Sequence, residues 1–245
     1  MNTRKKIILK DLILEYIDRA KPVGSSTLAR RFNLRVSPAT IRNEMFELEK
    51  GGYIRKPHTS GGRVPTIKGY RYYVSSLLEE TSPAVSEQEI LKEKLDKFPQ
   101  DFDRQLKYLS QTLAELTKEI ALTSLVGQDI HFFGIAHIFE KPEFADSREA
   151  YKLAQVLDEL DQIHDKLLNK LSKEKVEIFV GTKDLFRKVD CSIVVAGYIV
   201  PEQGQGLVGI LGPTRMEYTR NKSLVAYITK LLSGGMIVYL LIVVL

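Results

Sequence analysis

The chain has 245 residues, 44% of them hydrophobic and 27% charged, so it can bury cores and is not disordered throughout. Its single cysteine, Cys191, excludes a disulfide framework and suits a reducing, cytoplasmic compartment. The formal charge of +5 is unevenly divided: residues 1–75 hold 16 Lys/Arg against 6 Asp/Glu, a balance of +10, which leaves −5 for the remaining 170.

A basic first third on a slightly acidic remainder suits a polyanion-binding module joined to a part that binds none, although a solvated basic surface gives the same count. The basic start Met1–Lys6 leads into no secretory apolar run, because Lys10, Asp11 and Glu15 break Ile7–Tyr16. Instead Leu9, Leu12, Ile13, Tyr16, Ile17 and Ala20 recur at helical spacing and predict an amphipathic helix over residues 5–20, stopped by Pro22 and Gly24. A short second helix is predicted over Ser26–Phe32, with Leu28, Ala29 and Phe32 inward. Ser37-Pro38 then sets a capping hydroxyl before a proline at the first helical position. That third helix should run to Glu49 or Lys50 and end at Gly51-Gly52.

On the third helix Ile41, Met45 and Leu48 form the core stripe, while Thr40, Arg42 and Asn43 lie to the sides or on the opposite face. Polar side chains there can reach base edges in a major groove, but an ordinary solvated face has the same look; the order of elements decides between them. Short strands are expected at Tyr53–Lys56 and Arg63–Val64 around a Thr59-Ser60-Gly61-Gly62 loop. Arg55, Lys56, His58 and Arg63 surround this Gly/Ser tip, a composition suited to phosphate or minor-groove contact. A further helix after Thr66 points Ile67, Tyr70, Val74 and Leu77 inward and Lys68 and Arg71 outward. Residues 1–78 therefore read as a winged helix-turn-helix. Ser37, Thr40, Arg42, Asn43, Arg55, Lys56, His58, Thr59, Ser60, Gly61, Arg63 and Arg71 are its candidate contacts to double-stranded DNA.

Residues 79–126 read as a hinge and helical linker. Ser, Pro and Glu crowd residues 82–89, helix signals resume at Glu87–Lys97, and they restart near Gln100 after Pro99. Phe102, Leu106, Leu109, Leu113, Leu116 and Ile120 then alternate steps of four and three, an a/d seam for packing within the chain or between two chains. Over residues 127–235, Ser147–Leu171 is predicted as one long helix, Val176–Val180, Cys191–Tyr198 and Leu207–Leu211 as strands, and Ser223–Leu232 as a closing helix. That is an α+β domain. Residues 236–245 are an uncharged apolar tail, too short for the ~20 residues of a membrane-crossing helix and expected to dock on the C-terminal domain.

Motifs for other chemistry fail on context. Gly204-Gln205-Gly206-Leu207-Val208-Gly209 fits G-x-G-x-x-G but runs into a strand instead of opening a helix, so it reads as a hairpin loop. His131 and His137 lack the spacing and cysteines of a zinc site, and His164 reads as a helix-face residue. Cys191 alternates inward with Ile193 and Val195, as a buried structural thiol would. Arg215, Glu217 and Arg220 are explained equally by a turn-stabilising ion pair or by a function. No catalytic set, metal site or cofactor is expected, and an enzyme is nearly excluded.

Several strings carry a likeness. Pro22-Val23-Gly24-Ser25, Ser37-Pro38-Ala39-Thr40-Ile41-Arg42-Asn43-Glu44-Met45 and Lys56–Thr66 followed by Gly69-Tyr70-Arg71-Tyr72-Tyr73-Val74 resemble the N-terminal part of the HrcA family of heat-inducible repressors. Pro142-Glu143-Phe144, Asp190-Cys191-Ser192 and Gly212–Tyr218 resemble its C-terminal signatures. The resemblance implies a cytoplasmic repressor of chaperone genes that binds an inverted-repeat operator (the CIRCE element) as a homodimer. It also implies a GroEL-type chaperonin as partner and relief of repression by heat. The family's C-terminal part is GAF-like with an inserted dimerisation domain. Here the chain passes from Leu125 almost directly to His131, so the insert and the early GAF-like strands are expected to be missing. The seam at Leu106, Leu109, Leu113 and Leu116 is then the leading candidate for the dimer contact. Phe46 also departs from the family, which usually has a small residue at this outward position. A regulator of another operon, gated by a ligand on the GAF-like remnant, is the alternative.

Overall fold

The computed structural model describes residues 1–31, 36–57, 62–97, 101–171, 175–181, 190–201 and 203–235. It divides into two compact units, residues 1–79 with 214–217 and the remainder of the chain.

The first unit opens with α1 (Thr3–Arg19), whose first turn is capped by Asn2 and whose end falls at Ala20 in the left-handed region, φ +53°. Of the expected stripe Leu9, Leu12, Ile13 and Ile17 are buried, Tyr16 and Ala20 are half-buried, and Ile8 joins the buried face. The short α2 (Ser25–Arg31) follows, then α3 (Pro38–Lys50). Ser37 caps α3 as expected, its side chain accepting from the Thr40 amide at 3.2 Å, and Pro38 takes the first helical position. Strands β1 (Ile54–Arg55) and β2 (Val64–Pro65) pair antiparallel, and α4 (Ile67–Ser76) closes the unit under a Thr66 cap. The inward residues of α4 differ from expectation: Tyr70 and Tyr73 are buried, with Ile67, Val74 and Leu77 only half-buried. Gly69 is required there, since a Cβ would lie 2.1 Å from the Tyr53 carbonyl oxygen.

The second unit is α+β. After α5 (Val85–Asp96) and α6 (Phe102–Thr117) come β3 (Ile120–Leu125) and β4 (His131–Phe133). Next are α7 (Ile135–Phe139), a 3-10 turn at Pro142–Phe144, α8 (Ser147–Asp158) and α9 (Leu160–Lys170). Strands β5 (Glu177–Val180), β6 (Cys191–Val200) and β7 (Gly204–Pro213) lead to α10 (Tyr218–Lys230), which runs into a π-helical turn at Leu231–Gly235. The strands form one antiparallel sheet in the order β4-β3-β7-β6-β5. One face, with Ile120, Leu122, Cys191, Ile193, Val195, Leu207 and Leu211, packs with Ile138, Phe144, Leu153, Val156 and Leu167. On the chain's other helices, α6 packs against β3 and α10 against β6.

Five expectations are corrected here. The a/d seam stops at Lys118, in the left-handed region at φ +55°, and Ile120 belongs to β3. Leu106, Leu109 and Leu113 are buried in the core of their own unit and Leu116 is half-buried, so the seam is internal packing and not an open dimer surface. Residues 80–125 are therefore an integral layer of the second unit and not a linker, and α5 begins inside the expected hinge. The sheet has five strands where three were expected, because β3 and β4 add an antiparallel pair ahead of the three. The long helix 147–171 breaks at Glu159 into α8 and α9. Phe32 and the tail 236–245 lie outside the described residues.

Candidate nucleic-acid interface

Helix α3 presents the side chains that could meet a groove. Its core stripe of Ile41, Met45 and Leu48 is buried, which turns Arg42, Asn43, Phe46 and Lys50 to the exposed side. Residues three and four apart share a helix face, so these four make one continuous strip. The acidic residues of α3 are neutralised. Glu44 pairs with Arg4 at 3.5 Å and Lys5 at 4.0 Å, and Glu47 pairs with Lys5 at 4.0 Å and Lys50 at 3.6 Å. The basic start of α1 thus offsets carboxylates that would repel a phosphate backbone.

Beside this strip lies a cleft of about 340 Å³ between the start of α2, α3 and the β1–β2 wing. Ser25, Ser26, Arg42, Lys56 and Arg63 are among the residues that line it. Arg55 and Lys56 are exposed at the end of β1, and Arg71 is exposed on α4. Arg42 and Lys56 are therefore brought to one concavity from elements 14 residues apart in sequence.

Three expected contacts carry structural duties as well. Ser37 and Thr40 form the α3 cap, their hydroxyl oxygens 3.0 Å apart. Arg63 is half-buried; its Nε donates to the Glu49 carboxylate at 2.9 Å, and its backbone exchanges two hydrogen bonds with Val23, at 2.8 and 2.9 Å. It is a strut that ties the wing to α3 and to the turn before α2. Gly62 sits so close to that turn that a Cβ would meet Pro22 backbone atoms at 2.8–2.9 Å. His58, Thr59, Ser60 and Gly61, the expected tip, lie outside the described residues. Sequence reasoning passed over Ser26 and Lys50. The signal for Lys50 was available as the i, i+4, i+8 run Arg42, Phe46, Lys50.

The other sequence motifs resolve without a site. Gly204–Gly209, expected as a hairpin loop, is instead the first part of strand β7, paired with β6, and it opens no helix. The Cys191 thiol is buried and pushed well above the usual range, first by burial and then by the Asp190 charge. His164 meets the Ser124 hydroxyl at 2.7 Å, and His131 meets Asp103 at 2.7 Å. Arg215 donates to the Ile17 carbonyl at 2.7 Å within the first unit, whereas Arg220 forks onto Glu87 at 2.6 and 2.8 Å within the second. Among the described residues no group of three or more His, Cys, Asp and Glu is placed to hold a metal ion, and no helix is long and apolar enough to cross a membrane.

Comparison with known proteins adds an independent line. The family model described as the HrcA protein C-terminal domain matches residues 68–221. A heat-inducible transcription repressor HrcA from Desulforudis audaxviator is 27% identical over 336 aligned positions, covering 95% of this chain and 97% of its own. Its namesake from Carboxydothermus hydrogenoformans is 28% identical over 334 positions, with the same coverage. Because those alignments run well past 245 positions, the relatives carry internal residues that this shorter chain lacks. A crystal structure of a hypothetical protein at 2.2 Å resolution shares the fold, with a TM-score of 0.78 and 22% identity over 97% of this chain and 99% of that one.

Proposed function

The chain belongs to the HrcA family of heat-inducible transcription repressors, and from that premise we propose that two copies of its winged helix hold an inverted-repeat operator ahead of chaperone genes. The observation that carries this reading is the exposed strip on α3 beside a cleft that Arg42, Lys56 and Arg63 line. Arg42 and Asn43 bear on base edges, where a bidentate contact discriminates between bases. Arg55, Lys56 and Arg71 neutralise phosphates and contribute sequence-independent affinity. Arg63 adds its charge to the cleft while it positions the wing.

A two-fold operator requires a homodimer, because each winged helix reads one half-site. The dimer acts in the cytoplasm, a GroEL-type chaperonin keeps it competent to bind, and heat relieves repression by drawing the chaperonin away. The test is footprinting with the full chain upstream of its host's chaperone genes, with and without chaperonin, alongside light scattering. Two protected half-sites related by symmetry, a dimer mass and stronger protection with chaperonin are expected. A monomer that protects no site in those regions would overturn the proposal.

A further inference from the structure

We propose that Phe46 is a further specificity-determining residue, an apolar reader of the thymine C5-methyl group in the operator's major groove. The inference rests on α3 being the helix that enters the groove, and it extends that reading to a side chain with no hydrogen-bonding capacity. Phe46 is 51% exposed although it is among the largest apolar residues of its unit. It lies one turn beyond Arg42 and one turn before Lys50, and opposite the buried stripe of Ile41, Met45 and Leu48. Its neighbours on that strip, Arg42, Asn43 and Lys50, can only donate or accept hydrogen bonds.

The ring has a fixed seat. The Lys50 ammonium stands 4.6 Å from its centroid, a cation–π contact that restrains the side chain, and it also pairs with Glu47 at 3.6 Å. With α3 in the groove, an exposed aromatic ring on this strip has one good partner in B-DNA. Thymine alone presents a methyl group in the major groove, and apolar side chains, Phe included, recognise it by contact. Every base presents donors or acceptors at that edge, but only thymine adds an apolar group that gains from losing its water to a benzyl side chain. Phe46 thus favours a base pair that turns a thymine methyl toward it over one that presents cytosine, guanine or adenine at that point.

The experiment uses the full chain and a duplex that it enriches from a randomised library. Each thymine is replaced in turn by deoxyuridine, which removes only the methyl group, and affinity is measured for the unaltered chain, Phe46→Ala and Phe46→Leu. For the unaltered chain, one position in each half-site should lose about three- to fivefold in affinity, the worth of one buried methyl group. Phe46→Ala should bind the thymine and uracil duplexes equally with its salt dependence unchanged, and Phe46→Leu should keep part of the difference. Exposed-position substitutions of this kind seldom disturb folding. Insensitivity of the unaltered chain to every replacement overturns the inference while leaving DNA recognition standing. So does a Phe46→Ala chain that keeps the uracil penalty but loses its dimer mass, which would make the ring a contact to a second copy. Failure to enrich any duplex overturns both the inference and the recognition-helix reading beneath it.

Discussion

Arg42, Asn43, Arg55 and Lys56 stand exposed on the first unit, whereas Thr123, Ser124 and Ser192 of the second are fully buried and hydrogen-bonded inside it. Thr123 donates to the Leu106 carbonyl at 2.9 Å, Ser124 meets His164 at 2.7 Å, and Tyr218 donates to Ser192 at 2.9 Å. The strands differ in the same sense: two residues each in the wing, ten each in the central β6–β7 hairpin. A unit whose polar groups face water can exchange that water for a partner's groups. One whose polar groups already satisfy each other holds its shape instead. Within this chain the first unit thus keeps polar groups open to solvent at α3 and β1, while the second spends its own on internal hydrogen bonds.

The α6 seam is where the second unit's internal packing is tested most severely. Leu109 is fully buried, so Leu109→Ala should cost ~2–5 kcal/mol of stability, in the range for truncating a core leucine. Urea unfolding should show the loss in the second unit. A variant of unchanged stability that becomes monomeric would restore the seam as an intermolecular contact.

A smaller effect should separate roles within the first unit. Asn43→Ala should lose ~1–3 kcal/mol of discrimination between operator and random DNA. Lys56→Ala should weaken binding to both alike and reduce the salt slope by ~0.9. Parallel titrations at several salt concentrations check this; equal losses on both DNAs for both variants would dissolve the division between base and phosphate contacts.

The smallest effect concerns an exception to the outward-facing rule. Burial pushes the Asp11 carboxyl of α1 up to about 6, against a smaller opposing pull from Lys10. The folded chain therefore holds this proton more tightly than the unfolded one, where aspartate titrates near ~3.9. The stability so contributed is complete below pH ~4 and is lost as pH rises through about 6. Asp11→Asn should accordingly stabilise the first unit by ~1 kcal/mol at neutral pH and lose that advantage below pH ~4. Denaturation at the two pH values decides it, and an equal gain at both would remove the titration from the account.

The two units also differ in how far their sequences announced them. In the first, start and stop signals are explicit: Ser37-Pro38 opens α3, Gly51 follows its last residue, and Thr66 caps α4. In the second, α6 ends at Lys118, a non-glycine residue in a left-handed conformation, and Ile120 happens to continue the four-three spacing of the helix before it. Nothing local marks that boundary, so the strand was hidden inside a helical pattern. The break at Glu159 likewise falls without glycine or proline. As for the candidate site, Arg42, Asn43 and Lys56 followed from helix geometry and turn composition. The duty of Arg63 as a strut did not, because it depends on Val23 and Glu49, partners that are far away in sequence.

That strut has a mechanical consequence. Val23, Arg63 and Glu49 join the turn before α2, the wing and α3 into one closed circuit. Among the described residues the separation of β2 from α3 is consequently held by the protein's own hydrogen bonds, so a partner that touched both would meet a spacing already set.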